Sequence, residues 1–278
     1  MHIFREIRPL RAYLKLLNST QNSVGLVPTM GALHEGHLSL VQASKKQNSH
    51  TVCSIFLNPA QFNNQADLIH YPRTLDKDIE LLGRGGCEAV FCPSTDEMYA
   101  ADPATTIDVG RTGAVLEGAF RPGHFNGVAL VVSKLFNILQ PQRAYFGQKD
   151  FQQFMIIEQL VHDLNFDIEL VCVPIVREPD GLAMSSRNMR LTPDERKRST
   201  ILYQCLLRTR EGLLQGQSFE HLQTIAKGAC NQQQVDLEYL ALADRNTLAP
   251  ASELKDAVLL IAARVGDIRL IDNIFVTE

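Results

Sequence analysis

Two histidines three residues apart stand out as residues that could do chemistry. His34 and His37 lie in PTMGALHEGHL, residues 28–38, which begins where an apolar run ends and closes where a helical pattern begins. A helix start presents unpaired N–H groups and a positive dipole end, and residues three apart share one face. The pair therefore suits a phosphate, with a loop of two solvated histidines as the alternative. The spacing is not that of an HExxH zinc site, and no further ligand is evident.

An amide side chain occupies a comparable place after a second apolar run. Gln61 follows residues 51–57 and the strand-breaking Pro59. Its amide can both donate and accept, which suits a substrate with hydroxyl and carboxylate groups. Taken alone, the segment NPAQFN is also typical of an ordinary turn.

A lysine and an aspartate follow a third apolar run, residues 143–146. Lys149 could hold a phosphate, and Asp150 could either bind an adenosine hydroxyl or cap the next helix. Gln153 comes one turn later and would face the same cavity.

Residues 176–188, VREPDGLAMSSRN, combine a turn with hydroxyl and guanidinium groups. Ser185 and Ser186 offer two adjacent hydroxyls, and Arg187 is always charged, so a clamp on a polyphosphate is one interpretation and a polar interdomain linker is the other. The serines stand in neither a GxSxG nor an SxxK context. The sequence also contains no GxxxxGK[ST] and no GxGxxG, so it offers neither a P-loop nor a common dinucleotide site.

A glycine-containing loop, residues 117–125, precedes a strongly apolar helical pattern. Arg121 and His124 could close over phosphates from this loop. An ordinary lid or an interface loop would have the same composition.

These segments are positioned by alternating strand-like and helical patterns. Apolar runs at 24–28, 51–57, 88–92, 143–146 and 168–175 alternate with helical patterns at 75–82, 128–139 and 151–162. Short units of this kind predict an α/β domain with a Rossmann-like parallel sheet. Three candidate segments follow strands, so we expect them to meet at the carboxyl edge of that sheet. The helix 128–139 is apolar nearly all round, which predicts burial.

The pattern changes after about residue 176. A long helix is predicted over 193–214 and another over 219–230, followed by strands at 235–243, 257–265 and 268–276, with a hairpin at Gly266-Asp267. We therefore expect a domain of residues 1–175 and a smaller α+β domain of residues 176–278. The two domains are expected to pack closely, because no low-complexity linker separates them.

Composition excludes several function classes. The 278 residues include 27 Lys+Arg and 31 Asp+Glu, a formal net charge of -4, so no basic face for nucleic acid is expected. The longest apolar stretches are far shorter than a membrane span, and the first 15 residues lack the apolar centre of a signal peptide. Six cysteines without a CxxC are expected to be small buried hydrophobes in a reducing compartment. A soluble, cytoplasmic protein is predicted.

In chain order, six motifs resemble those of the pantoate–β-alanine ligase family: PTMGALHEGHLSL, NPAQFN, YPRTLDKD, EGAFRPGHFNGV, YFGQKDFQQ and REPDGLAMSSRN. The resemblance covers essentially the whole chain in length and motif order. The family belongs to the cytidylyltransferase-like nucleotide-binding superfamily, whose HIGH signature would be HEGH at 34–37. The superfamily's KMSKS-like loop would be MSSR at 184–187.

The resemblance implies an ATP-dependent condensation of (R)-pantoate with β-alanine, a step of pantothenate and coenzyme A biosynthesis. Pantoate would attack the α-phosphorus of ATP to give pantoyl adenylate and pyrophosphate, and β-alanine would then displace AMP. Neither step needs a covalent enzyme intermediate, so positioning and charge stabilisation should dominate. The family also implies Mg²⁺ on the ATP phosphates and a homodimer.

Carried over residue by residue, the resemblance assigns the catalytic roles to His37, His34, Lys149 and Arg187. His37 matches the family's proton donor. Gln61 and Gln153 would bind pantoate, with Gln61 near the incoming β-alanine, and residues 184–187 would close over the phosphates from the second domain. The ATP site would comprise Met30, Gly31, Ala32, Leu33, His34, Glu35, Gly36, His37, Gly147, Gln148, Lys149, Asp150, Val176, Met184, Ser185, Ser186 and Arg187.

Two positions need separate comment. Gln148 stands where the family commonly has Glu, which removes a charge but keeps an acceptor oxygen, so the site is expected to function. Asp78 is the candidate for an indirect contact with Mg²⁺, and the resemblance leaves direct protein ligands of the metal unknown.

Two other functions were weighed against the ligase. A nucleotidyltransferase of the same superfamily would join AMP to a phosphorylated metabolite, but the uncharged amides of Gln61 and Gln153 suit a small hydroxy acid better. A nucleotide-sensing module without chemistry would have little use for paired histidines, a lysine and Ser-Ser-Arg around one cavity.

Overall fold

The structure is a computed structural model that describes residues 1–18, 22–99 and 105–277. The chain divides into two compact units. The first comprises Met1–Gly147 and Gln153–Pro174, and the second comprises Gln148–Gln152 and Ile175–Glu278. The short segment Gln148–Gln152 thus groups with the second unit, although its neighbours on both sides in the chain belong to the first.

The first unit is built on a parallel sheet. Its strands are β1 (His2–Phe4), β2 (Val24–Thr29), β3 (His50–Ile55), β4 (Ala89–Phe91), β5 (Arg143–Gly147) and β6 (Glu169–Val173). All neighbouring strands are parallel, in the order β1-β4-β3-β2-β5-β6. The predicted α/β fold with a Rossmann-like parallel sheet is therefore confirmed.

Helices connect these strands. They are α1 (Ile7–Asn18), α2 (Glu35–Gln47), α3 (Gln65–His70), α4 (Leu75–Arg84), α5 (Thr95–Met98), α6 (Glu117–Phe120), α7 (His124–Leu139) and α8 (Phe151–Asp163). The predicted burial of the apolar helix is confirmed, since α7 buries most of its residues in the main core of the unit. Among the described residues, no helix is long and apolar enough to cross a membrane.

The order of connections reverses at the centre of the sheet. From β2 the chain proceeds to β3 and β4 on one side, whereas β5 and β6 lie on the other. The β2–β5 ladder contains only Gly25↔Arg143 and Leu26↔Ala144, although both strands continue beyond it. Pro28, near the end of β2, has no N–H to donate. The sheet therefore opens at the carboxyl ends of β2 and β5, and such switch points are where ligands bind.

The second unit contains an antiparallel sheet and helices. Its elements are α9 (Pro193–Arg198), α10 (Ile201–Leu214), α11 (Phe219–Gln232), β7 (Asp236–Asp244), β8 (Ala257–Val265) and β9 (Ile268–Phe275), with strand order β7-β8-β9. The predicted α+β architecture is confirmed. So is the hairpin, where Gly266 takes a φ of +57°. Apolar side chains of α10, α11 and the sheet form one core.

The single long helix predicted over 193–214 is wrong, because the structure has two helices. Between α9 and α10, Ser199 is fully buried and its Oγ donates to the carbonyl oxygen of Glu195 at 2.7 Å. A serine hydroxyl that bonds the preceding turn competes with the regular helical ladder. The apolar periodicity continues across the break, so spacing alone did not reveal it.

The N-terminal strand and helix were not predicted at all. β1 has only three residues, too few for a period-two pattern to be visible. In α1, the side chains of Leu10 and Leu14 are buried in the main core of the first unit, while Arg11 between them is exposed. These residues extend the sheet to its β1 edge and cover part of its core.

All six cysteines are free thiols, and all but Cys172 are buried, as small hydrophobes are expected to be. Burial raises the pKa of Cys87 and of Cys172 to about 11. These two thiols are therefore neutral at physiological pH, which agrees with a packing role rather than with reactivity.

Candidate active site

The loop after β2 is held in shape by one buried carboxylate. Gly31 and Ala32 both take left-handed backbone conformations, with φ of +85° and +50°. Asp78 of α4, only 2% exposed, accepts the N–H of Ala32 and of Leu33, each at 2.9 Å. Its Oδ1 also accepts the Thr74 hydroxyl at 3.0 Å. Asp78 thus holds the loop, and the indirect magnesium contact foreseen for it stays a prediction.

His34 and His37 form the start of α2. His34 is the N-cap, and its Nδ1 accepts the N–H of Gly36 at 3.1 Å. His37 Nδ1 accepts the N–H of His34 at 3.3 Å, and the ring centroids are 4.1 Å apart. Because Nδ1 accepts in both rings, the proton of each neutral imidazole lies on Nε2. The structure therefore brings the two predicted residues together, and each neutral ring would carry on Nε2 the proton that donation to an anion needs.

Gln61 contacts the same loop. It lies in the short helical turn Pro59–Gln61, is 6% exposed, and donates through Nε2 to Met30 Sδ at 3.0 Å. Its Oε1 accepts from Asn58 Nδ2 at 3.0 Å. A residue predicted to bind substrate and one predicted to bind ATP are thus in direct contact at the carboxyl edge of the sheet.

Asn58, Tyr99 and His124 support Gln61, and none of the three was predicted in this role. Asn58 is 1% exposed; its Nδ2 also donates to the carbonyl of Gly127 at 3.1 Å, and its Oδ1 accepts the Tyr99 hydroxyl at 2.8 Å. Burial raises the pKa of Tyr99 to about 12. The sequence signal for Asn58 was weak, since an Asn before Pro is typical of turns.

The sequence suggested that His124, in a glycine-containing loop, could close over phosphates. The structure instead places it at the start of α7, where its side chain is buried. The side chain is 6% exposed, and its Nδ1 lies 2.7 Å from the carbonyl oxygen of Gln61, with Arg121 Nη1 3.1 Å from Nε2. Gly127 in the same helix permits a close approach, because a Cβ there would lie 2.2 Å from the carbonyl oxygen of Ala60. Helix α7 therefore packs directly on the turn that carries Gln61.

A cavity of about 570 Å³ borders this loop within the first unit. Met30, Gly31, Ala32 and Asp78 form part of its wall, together with residues that follow β1, β3 and β4. The volume lies in the range of small-molecule sites. Gln153, predicted to bind pantoate, is half-buried in the first turn of α8.

In the second unit, two predicted ATP-binding residues are joined by the backbone. The N–H of Met184 donates to the carbonyl of Val176 at 3.0 Å. Ser185 then caps the turn Ser186–Arg190, where its Oγ accepts the N–H of Arg187 at 3.3 Å. Ser186, predicted as part of a clamp on a polyphosphate, is buried in this turn.

Lys149 lies in the three-residue turn Gln148–Asp150, which also belongs to the second unit. Its Nζ is 3.8 Å from Asp150 Oδ1. The turn contacts β9, where Arg177 pairs with the buried carboxylate of Asp272 at 2.6 Å. Burial raises the pKa of Asp272, and the Arg177 guanidinium offsets part of that shift.

Comparisons with known proteins cover the whole chain. A sequence model of the family described as pantoate-beta-alanine ligase matches residues 2–275. A pantothenate synthetase from Moorella thermoacetica is 45% identical over 99% of this chain and 98% of its own length. One from Bacteroides fragilis is 46% identical, again over 99% and 98%.

Solved structures give the same result. Pantothenate synthetase from Thermus thermophilus aligns with a TM-score of 0.94 at 43% identity, covering 100% of both chains. Pantoate-beta-alanine ligase from Francisella tularensis, complexed with beta-gamma ATP and beta-alanine, aligns with a TM-score of 0.84 at 34% identity. That alignment covers 99% of this chain and 98% of the other.

Proposed function

The chain belongs to the pantoate-beta-alanine ligase family, and from that premise we propose how its residues carry out the reaction. It is an enzyme of the ligase class that joins pantoate to β-alanine to give pantothenate, with ATP as a substrate. The contact between Gln61 and Met30 at the carboxyl edge of the sheet is the observation that carries the assignment to this chain's own residues.

The reaction proceeds in two displacements. A carboxylate is a poor acceptor for an amine, so the pantoate carboxylate first attacks the α-phosphorus of ATP, and pyrophosphate leaves with the electrons of the broken P–O bond. The β-alanine amine, in its neutral form, then attacks the acyl carbonyl of pantoyl adenylate. AMP leaves as the acyl C–O bond breaks, and the amine loses a proton. Positioning and charge stabilisation account for the catalysis.

In the first unit, the loop after β2 and the start of α2 bind ATP. The Nε2–H groups of His34 and His37 donate to phosphate oxygens as charge develops, and the N-terminus of α2 adds its dipole. The fixed orientation of both rings supports this role. Gln61, held by Asn58, orients pantoate, and Gln153 contributes to the same substrate site.

In the second unit, charged and hydroxyl groups bind the phosphates. Lys149 and Arg187 supply positive charge, and Ser185 and Ser186 supply hydroxyls. Gly147, the last residue of β5, surrounds adenosine together with Gln148, Asp150 and Val176, while Met184 closes over the phosphates with residues 185–187. The hydrogen bond from the N–H of Met184 to the carbonyl of Val176 supports this arrangement, because it joins the phosphate-binding segment to an adenosine-binding residue.

Magnesium accompanies ATP as part of the substrate. Among the described residues there is no group of three or more His, Cys, Asp or Glu side chains that could hold a metal. Mg²⁺ usually keeps several waters and binds through phosphates and one or two carboxylates, which fits delivery with the nucleotide. Asp78 would reach it only indirectly, since its carboxylate already accepts three hydrogen bonds. A cytoplasmic location and a homodimer complete the proposal.

The direct test is to incubate the purified protein with ATP, Mg²⁺, pantoate and β-alanine and to follow AMP and pantothenate. Omission of each component in turn should abolish steady release of AMP. Exchange of labelled pyrophosphate into ATP should need pantoate but not β-alanine, because only the first displacement is reversed. A product that retains AMP would indicate a nucleotidyltransferase instead, and ATP binding without turnover would indicate a sensor.

A further inference from the structure

A buried asparagine on β9 is hydrogen-bonded through every polar atom of its side chain. Asn273 is 1% exposed, and its Nδ2 donates to the carbonyl oxygens of Gln148 at 2.9 Å and Lys149 at 3.0 Å. Its Oδ1 accepts from Gln148 Nε2 at 3.1 Å. Burying an amide in a core costs free energy unless it is hydrogen-bonded. The buried side chain of Asn273 avoids that cost through its hydrogen bonds to Gln148 and Lys149.

The backbone of Asn273 is fixed in turn by an ion pair. Asp272, 4% exposed, accepts the Arg177 guanidinium through both oxygens, at 2.6 and 2.9 Å. Asp272 Oδ1 also accepts the N–H of Asn273 at 2.7 Å, and Arg177 Nη2 donates to the carbonyl of Asn273 at 3.3 Å. Stacking of the guanidinium on the Tyr203 ring, at 3.8 Å, further restricts its orientation.

The same guanidinium holds the turn that precedes residues 184–187. Arg177 Nη1 donates to the carbonyl of Gly181 at 3.0 Å. Gly181 takes a φ of +93°, and a Cβ at this position would lie 2.4 Å from the Tyr203 ring. One hydrogen-bonded network in the second unit thus contacts both the Lys149 segment and the turn at Gly181 that precedes residues 184–187.

We propose that Asn273 is a positioning residue for Lys149, with Arg177 and Asp272 as its support. Lysine has a flexible four-carbon stem, so the protein can aim its ammonium group chiefly by fixing the backbone from which it extends. The turn Gln148–Asp150 is a 3₁₀ turn of only three residues, and such turns have poorer hydrogen-bond geometry than an α-helix. Asn273 supplies a restraint from outside the turn. The inference rests on the proposed role of Lys149 in binding phosphate.

The network also includes the side chain of Gln148, which stands at the position where the family commonly has Glu. Its Nε2 donates to Asn273 Oδ1, which a carboxylate cannot do. Loss of the Gln148 side chain removes one of the three hydrogen bonds and leaves both donations to the backbone. Gln148→Ala should therefore impair Lys149 less than Asn273→Ala does.

The test compares the steady-state kinetics of Asn273 variants in the otherwise wild-type protein and in a Lys149→Ala protein. Asn273→Ala should lower kcat/KM for ATP by between about 10-fold and 100-fold, as expected for a displaced binding group. Asn273→Asp, which is isosteric but cannot donate to the carbonyls, should behave similarly. In a Lys149→Ala background, Asn273→Ala should cause little further loss, because residues that act through one group are not additive.

The matched control is Gln223→Ala, which removes a side-chain donation to the carbonyl of Leu240 (2.7 Å) in the same unit. It should leave the kinetics unchanged. Normal kinetics of Asn273→Asp, or full additivity with Lys149→Ala, would overturn the inference. If Asn273→Ala does not fold, the same comparison with Asn273→Asp decides. Normal kinetics of Lys149→Ala alone would instead overturn the proposed role of Lys149.

Discussion

The loop of residues 30–37 and the turn Gln148–Asp150 each follow a strand of the same parallel sheet, β2 and β5. The loop is held by its own helix caps and by Asp78, 45 and 46 residues away from its two backbone partners. The turn is held by Asn273, 125 residues away from Gln148. The two segments differ in how far along the chain their support lies, although both are predicted to bind phosphate.

Gln61 is an intermediate case. Its turn is supported by Asn58, three residues away, and through Asn58 by Tyr99 and Gly127. The three segments thus form a series from local to remote support. Local support can be inferred from spacing, whereas remote support depends on the complete fold.

The first prediction asks whether the two segments proposed to bind phosphate contribute equally to turnover. His37→Ala and Lys149→Ala should each lower kcat by at least about a hundredfold, since loss of one preorganised donor costs on the order of 2.7–4 kcal/mol. Steady-state kinetics with saturating substrates would measure this, with exposed His70→Ala and Lys197→Ala as controls. Near-normal turnover of either variant would remove its segment from the comparison, and a rise in KM alone would indicate uniform binding.

The second prediction concerns the support that Asp78 gives to the loop of residues 30–37. Asp78→Ala leaves the N–H groups of Ala32 and Leu33 without their acceptor, so the free energy of unfolding should fall by roughly 2–3 kcal/mol. Urea unfolding would measure the change. Asp76→Ala, an exposed aspartate in the same first turn of α4, is the control and should lose less than about 1 kcal/mol. Equal losses in the two variants would show that Asp78 does not hold the loop.

The third prediction tests the intermediate case through pH. Tyr99→Phe removes the hydrogen bond to Asn58 and should cost about 1 kcal/mol at neutral pH. The pKa of Tyr99 is raised from 10.0 to about 12 in the fold, so its contribution is complete below pH 10 and is lost as the pH rises toward 12. The variant has no phenol to ionise. The difference in Tm between wild type and variant should therefore shrink across this range, and a constant difference would contradict the assignment.

The sequence predicted the parallel sheet and the proximity of His34 and His37 better than the contacts that shape the loop and the turns. Alternating apolar runs and helical patterns indicate a parallel sheet because each pattern is local and periodic. The pairing of His34 with His37 was equally accessible, since it depends on a spacing of three residues. The motif resemblance then supplied the proposed site roles of Gln61 and Lys149.

The supporting residues could not be found in this way. Asn58, Asp78 and Asn273 are buried polar side chains whose partners lie in other elements, and nothing in their own neighbourhoods distinguishes them from turn or helix residues. The break between α9 and α10 at Ser199 was not predicted for a related reason. The hydrogen bond from the Ser199 hydroxyl to a carbonyl oxygen leaves the spacing of apolar residues unchanged. Such features follow from packing once the chain has folded.

The grouping of Gln148–Gln152 with the second unit bears on the order in which the chain can fold. A fragment that begins at residue 175 would contain Asn273 but neither of the carbonyls to which its side chain donates. Its core would then include an amide without partners, which opposes folding. The carboxyl-terminal sequence alone is therefore expected to be less stable than the same sequence joined to residues 148–149, which lie more than a hundred positions earlier in the chain.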